Sequence, residues 1–143
     1  MNKKIDAITR ILEFSHPVER VWQAITDPTE VANWFGSDAS YELQEGAIGY
    51  FEWENECVGK ISMKIENIQP YSYFAWRWMQ EPGQPYDDDT STLVEWHLEP
   101  TQTGTRLTMT ESGFAALKQQ QLNVKGWQLE LHDLYQYVTQ IEN

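Results

Sequence analysis

The chain has 143 residues, the length of one average domain, and seven Trp, seven Tyr and five Phe supply large apolar side chains for a substantial core. Its 22 acidic and 10 basic residues give a formal net charge of −12, which repels nucleic acid and anionic membrane surfaces. The sequence therefore predicts a single domain over residues 1–143 that binds no nucleic acid.

The first part of the chain predicts one strand followed by two short helices. Residues 7–14 mix alternating and consecutive apolar residues at strand length. Pro17 suits the first turn of a helix with one apolar stripe, formed by Val18, Val21, Trp22 and Ile25. Asp27 then predicts a capping box, in which Glu30 reaches back toward the helix start, and this second helix ends near Gly36.

The middle of the chain predicts an antiparallel meander, because strand-like alternation is separated by turn residues and shows no strong helical periodicity. Strands are expected at residues 50–54, 58–66, 73–79 and 92–100, with a last strand through residues 107–111. Alternation gives each strand one row of inward side chains, which is apolar except for the carboxylate of Glu111. These rows need a covering element on one face of the sheet.

A long C-terminal helix supplies that cover. From an opening at Gly126, an apolar stripe recurs at gaps of four and three residues, formed by Trp127, Leu131, Leu134, Val138 and Ile141. The opposite side is expected to be polar and includes Gln128, Glu130, Asp133, Gln136 and Gln140. Residues 115–125 predict a loop, with a helical lid hinged at Gly126 as the alternative. The order of elements predicts an α+β fold, with a curved antiparallel sheet around the last helix.

Several blocks occur in an order that resembles the START-like (SRPBCC) superfamily. They are residues 14–22, 34–36, 92–100 and 104–114, and the helix opening at Gly126 and Trp127. Within the superfamily, the chain resembles the C-terminal domain of activators of the ninety-kilodalton heat-shock protein ATPase, a branch also grouped with polyketide cyclases and dehydrases. The eukaryotic activators carry an additional N-terminal domain that this chain does not resemble.

This resemblance implies a helix-grip fold with a cavity between the sheet and the long helix, which takes a lipid, a sterol, a polyketide or another apolar molecule. The apolar residues whose phase points into that space are Trp53, Met63, Trp76, Trp78, Trp96, Met109, Phe114, Trp127 and Leu131. The alternative is that these side chains simply fill the space, because protein interiors pack densely.

Two polar residues complete the predicted ligand-binding set. Strand parity directs Glu111 inward, where it would hydrogen-bond a ligand, and Tyr135 on the last helix could help to orient one. The alternative for Glu111 is a carboxylate at the rim of the sheet that caps the backbone N–H groups of the turn at Ser112 and Gly113.

Three functions are compatible with these residues and the resemblance. The first is a small soluble domain that binds an apolar small molecule. The second is a module that binds a chaperone or another protein. The third is an enzyme of the cyclase or dehydrase type with Glu111 and Tyr135 as acid–base groups, which ranks last because such chemistry needs convergent titratable groups.

Tyr50, Tyr71 and Tyr73 are expected on the outer face of the sheet, where they could form the interface of a homodimer.

The sequence also argues against disulfides, membrane segments and metal sites. Cys57 is the only cysteine, which excludes an internal disulfide and a thiolate zinc site and agrees with a reducing cytoplasm. No apolar run is long enough for a membrane span, and no signal peptide is apparent. The acidic run at residues 87–89 predicts a solvated loop, and the three histidines do not converge. We therefore expect no metal and no cofactor.

Overall fold

The computed structural model describes residues 5–36, 38–53 and 59–140. Cys57, Ile141 and the predicted strand ends at Glu54 and Val58 lie outside the described residues. The described strands are β1 (Ile8–Phe14), β2 (Asp38–Ser40), β3 (Ile48–Trp53), β4 (Gly59–Gln69), β5 (Tyr73–Trp78), β6 (Thr92–Pro100) and β7 (Thr105–Ser112). The helices are α1 (Val18–Thr26), α2 (Pro28–Trp34) and α3 (Leu117–Gln140), and a short 3₁₀ turn spans Asp88–Thr90.

All seven strands form one antiparallel sheet in the order β1-β7-β6-β5-β4-β3-β2. This arrangement confirms the predicted α+β helix-grip fold, in which a curved sheet surrounds a long C-terminal helix and two short helices follow the first strand. The sequence missed β2, because three residues are too few to show alternation. Its pairing with β3, from Asp38 with Glu52 to Ser40 with Tyr50, defines it.

The junction of α1 and α2 confirms half of the predicted capping box. The Asp27 carboxylate accepts a hydrogen bond from the backbone N–H of Thr29 at 2.9 Å, and Pro28 is the first residue of α2. Glu30 does not reach back. Its Oε1 accepts instead from Arg20 Nη1 at 2.8 Å and from the Tyr137 hydroxyl at 2.9 Å, because a charge-assisted bond is stronger than a bond to a neutral N–H. Glu30 thereby ties α2 to both α1 and α3.

Helix α3 corrects the sequence-based prediction for its first third. The helix begins at Leu117, so residues 117–125 are neither a loop nor a separate lid, and Gly126 lies inside a continuous helix. These residues lack an apolar stripe, but Leu, Lys and Gln have good helix propensity. The predicted stripe is buried as expected at Trp127, Leu131, Leu134 and Val138.

Candidate ligand cavity

A cavity of about 440 Å³ lies between the first half of α3 and the sheet, within the size range of small-molecule sites. Its apolar wall on the sheet side consists of Phe35, Trp53, Ile61, Trp78 and Met79. On the helix side it is lined by Leu122, Asn123, Gly126, Trp127, Leu129 and Glu130. A depression of about 710 Å³ beside His16 and Tyr71, at the opposite end of the strands, is more open to solvent. The first cavity is less open to solvent than this depression and is lined by several aromatic rings, so it is the candidate site.

Phe35 is at the centre of the aromatic wall. Its ring stacks at 24° against both Trp78 and Trp127, with centroid distances of 5.6 and 5.5 Å, and it meets Trp53 edge to face at 5.1 Å. The chain can place this ring because Gly36 follows with a φ of 74°. A Cβ at position 36 would lie 2.8 Å from the Trp53 ring, so both the backbone conformation and the packing require glycine.

Glu111 lies behind this wall and is fully buried. Its carboxylate accepts hydrogen bonds from Trp78 Nε1 and Trp127 Nε1, each at 2.8 Å, from Thr92 Oγ1 at 2.6 Å and from Asn123 Nδ2 at 3.0 Å. The alternative of a rim carboxylate that caps the turn at residues 112–113 is wrong, because the donors that Glu111 meets are side chains. Glu111 fixes the two indole rings and the amide that line the cavity, and it does not itself line it.

Glu130 is the polar residue that sequence reasoning missed. It was assigned to the polar side of α3, yet it lines the cavity, and its Oε2 accepts a hydrogen bond from Trp53 Nε1 at 3.3 Å. Burial raises the pKa of Glu130 to about 7, with a smaller contribution from the negative charge of Asp133, whereas the bonds from Trp53 and the Gly36 backbone act in the opposite direction. The available signal was its spacing, three residues after Trp127 and hence on the same side of the helix.

The raised pKa makes a prediction about stability. Replacing Glu130 with Gln is expected to raise the free energy of unfolding by about 1 to 2 kcal/mol at about pH 8, because the half-buried side chain of the variant carries no charge. The folded protein binds this proton more tightly than the unfolded chain. In the wild type, the cost in stability of ionising Glu130 is therefore absent below pH 4.5, its usual pKa. The cost grows with pH until the pH passes about 7, the pKa of Glu130 in the folded protein.

Urea unfolding between about pH 4.5 and pH 8 measures this effect. The decrease in the free energy of unfolding with rising pH that Glu130 causes should disappear in Glu130→Gln. Asp133→Asn, at an exposed position three residues further along α3, is the matched control and should keep most of the slope. Identical pH profiles for Glu130→Gln and the wild type would contradict the assignment of a buried, titrating carboxyl.

The other predicted site residues divide into two groups. Trp53, Trp78 and Trp127 line the cavity. The remaining apolar residues are buried in the core and fill space instead, and they are Met63, Trp76, Trp96, Met109, Phe114 and Leu131. For these six, the structure favours the packing alternative.

Tyr135 does not face the cavity. It is 43% exposed, and its ring stacks on Phe14 with a centroid distance of 5.5 Å. Phe14 pairs with Thr105 on β7, six residues before Glu111, which corresponds to a separation of roughly 20 Å along the strand. Glu111 and Tyr135 therefore do not form the convergent acid–base pair that the enzyme hypothesis required.

The outer face of the sheet offers less free aromatic surface than the sequence indicated. Tyr71 is 50% exposed, but its ring meets the core residue Trp22 of α1 edge to face at 5.9 Å and so is not on the outer face. Tyr50 and Tyr73 are half-buried. Lys60 Nζ lies 4.3 Å from the centre of the Tyr50 ring, and the Tyr73 hydroxyl donates to Glu95 at 2.6 Å. Partners within the chain thus cover part of the surface on which a dimer contact was considered.

The acidic run at residues 87–89 is exposed, as predicted for a solvated segment, and part of it lies in the 3₁₀ turn at Asp88–Thr90. Asp88 accepts from Lys64 Nζ at 3.1 Å and from the Tyr86 hydroxyl at 2.6 Å, and these bonds lower its pKa. Within residues 5–36, 38–53 and 59–140, no group of three His, Cys, Asp or Glu side chains is arranged to hold a metal ion. Across the same ranges, no helix is long and apolar enough to cross a membrane.

Comparison with known proteins agrees with this architecture. The sequence model of the family described as "Activator of Hsp90 ATPase homolog 1-like protein" matches residues 15–139. No curated protein matches the chain significantly.

Solved structures share the fold. Protein MLL2253 from Mesorhizobium loti has a TM-score of 0.79 and 22% identity, over 94% of this chain and 98% of its own. The Aha1 dimer from Colwellia psychrerythraea has a TM-score of 0.74 and 18% identity, over 94% and 96%. DynU16, from the dynemicin biosynthetic locus, has a TM-score of 0.75 and 26% identity. The match covers 94% of this chain but only 47% of DynU16.

Proposed function

Because the chain belongs to the family of activator of Hsp90 ATPase homolog 1-like proteins, we propose that it binds an apolar small molecule in the cavity between α3 and the sheet. The observation that carries the proposal is the cavity itself, with a volume of about 440 Å³ and an aromatic wall. Large apolar rings with a few placed polar groups are the usual lining of small-molecule sites. Glu111 supports this role because it holds two of the rings in place.

Gly126 is the second supporting observation. A glycine inside a helix costs about 1 kcal/mol of stability relative to alanine. Nothing lies within 4 Å of the point where a Cβ would stand at position 126, so packing against the rest of the protein does not require the glycine. The residue lines the cavity. A role in keeping the cavity open accounts for a glycine that weakens its own helix.

The test is native mass spectrometry of the freshly purified protein, together with thermal shifts against a broad panel of apolar compounds. The wild type is expected to carry or to take up a compound that leaves on denaturation. Gly126→Trp should weaken or abolish this binding, because Gly126 lines the cavity and the open space at this position admits an indole beside it. The variant should remain folded, since Trp has better helix propensity than Gly. Its circular dichroism spectrum and melting temperature verify the fold.

Gly126→Ala is the matched control. It should increase the free energy of unfolding by about 0.5 to 1 kcal/mol while reducing the cavity by only one methyl group, so it should retain binding. If the wild type shows neither a co-purified mass nor a thermal shift with any compound, the proposal is wrong. Equal binding by Gly126→Trp and the wild type would place the ligand elsewhere on the protein.

Binding of a chaperone or another protein is the second candidate. The family description refers to activation of a chaperone ATPase, and three leucines on α3 are more than half exposed: Leu117, and Leu122 and Leu129, which also line the cavity. Such a side chain on a helix surface can contact a partner protein. Specific capture of a chaperone by the wild type that persists in Gly126→Trp, combined with no small-molecule binding, would favour this candidate over the first.

A further inference from the structure

We propose that the ligand of this cavity is an apolar molecule that carries a positively charged nitrogen. The inference rests on the proposed function and specifies its ligand class. Two features carry it: the carboxylate of Glu130 lies in the cavity wall, and the three indole N–H groups of that wall already donate to carboxylates within the protein.

The charges at the cavity have one sign. Among the described residues that line it, Glu130 is the one ionisable side chain, and neither Lys nor Arg is present. Asp133 lies three residues further along α3, and Glu111 on β7 lies directly behind Trp78 and Trp127. The whole chain has a formal net charge of −12. The surroundings of the cavity therefore favour a cation and disfavour an anion.

The polar groups of the wall offer acceptors more than donors. The indole N–H of Trp53 donates to Glu130, and those of Trp78 and Trp127 donate to Glu111. The amide nitrogens also have acceptors within the protein, and those of Gln80 and Gln119 use one of their two hydrogens in this way. Asn123 Nδ2 donates to Glu111 and Gln80, Gln80 Nε2 donates to Thr92, and Gln119 Nε2 donates to Asn123.

A carboxylate or phosphate ligand would thus meet Glu130 without a free indole N–H or a basic side chain to balance its charge. Burying an unpaired charge is costly, which disfavours fatty acids and other anionic lipids. A cationic nitrogen instead gains a carboxylate partner, and its neighbours include Trp53, Trp78 and Trp127, whose ring faces attract cations. The positive charge of the ligand would also stabilise the ionised form of Glu130, which burial disfavours and whose pKa burial raises to about 7.

Three compounds with one apolar body test the inference: 4-phenylbutyltrimethylammonium, the neutral 4-phenylbutanol and the anionic 4-phenylbutyrate. Isothermal titration calorimetry at about pH 8 is expected to show the cation binding at least about tenfold tighter than the alcohol, and the anion weaker than both. Because the quaternary charge does not titrate, affinity for the cation should fall as the pH is lowered through about 7, where Glu130 becomes protonated.

In Glu130→Gln the cation should lose its advantage over the alcohol, and the pH dependence should disappear. Asp133→Asn removes the same charge from an exposed position and should keep the preference to within about a factor of three. The comparison of the three compounds in the wild type stands even if a variant folds poorly.

The outcomes separate the two proposals. If the alcohol binds as tightly as the cation in the wild type, and Gly126→Trp weakens or abolishes both, the charge preference is wrong and the cavity function stands. If the anion binds best, the inference is likewise overturned. If none of the three compounds binds, the native mass shows no ligand and the broad panel gives no thermal shift, both proposals fail together.

Discussion

Replacing Glu111 with Ala is expected to lower the free energy of unfolding by at least about 4 kcal/mol. The substitution would leave two buried indole N–H groups, a threonine hydroxyl and an asparagine amide without their acceptor. Each unsatisfied buried donor costs about 1 to 3 kcal/mol. The substitution should also distort the cavity, because Trp78, Asn123 and Trp127 would no longer be held in place.

Urea unfolding measures this loss, and ligand binding by the surviving folded fraction measures its effect on the cavity. Glu95→Ala is the matched control, since it removes a carboxylate from the neighbouring strand that accepts one hydrogen bond, from Tyr73. Its cost should be no more than about 1 kcal/mol. Glu111→Gln should be intermediate, because its amide nitrogen cannot accept from the donors that surround it. Similar stabilities of Glu111→Ala and Glu95→Ala would refute the structural role.

The Phe35→Ala variant is expected to lose about 3 to 5 kcal/mol of stability, because it removes a buried ring and leaves a void. Phe35 is only 1% exposed and stacks against both Trp78 and Trp127, whose ring centroids are themselves 5.9 Å apart. The void should join the existing cavity and enlarge it. A larger aromatic ligand than the wild type accepts is therefore expected to bind, as long as the variant is measured where it remains folded.

Urea unfolding and calorimetric titration with one-ring and two-ring aromatic compounds measure these two effects. Tyr71→Ala removes a ring of similar size from an exposed position and should cost far less than Phe35→Ala. Phe35→Leu should fall between the two, since Leu retains much of the buried volume. A loss below about 1 kcal/mol in Phe35→Ala would show that the stacked rings close over the gap.

The periodicity of apolar residues predicted the sheet and the long helix that covers it. Burial on one face leaves a period of two residues in strands and gaps of three and four residues in helices. It also directed Glu111 inward, although its partners could not be predicted. They come from β5, β6 and α3, and only the tertiary fold brings Trp78, Thr92 and Trp127 to one point.

The cavity itself was harder to predict. Strand phase shows which rings point inward, but it does not distinguish Trp76, which fills the core, from Trp78, which lines the cavity. Phe35 contacts both rings and lines the cavity itself, but it lies between elements, where no periodicity could predict its position. Glu130 was missed because charge suggested an exposed position, whereas its spacing from Trp127 placed it at the border of the buried stripe.

The pairing of β1 with β7 has a consequence for synthesis of the chain on the ribosome. Phe14 pairs with Thr105, so about 90 residues are made before the first strand can find its neighbour. During that interval β1 presents open backbone groups that could pair with another nascent chain. The charged side chains of Arg10 and Glu13 on this strand are exposed, and such charges are how natural strands discourage that encounter. The two charges flank the exposed Ile11 on this strand, so they should discourage its pairing with another chain before the fold exists.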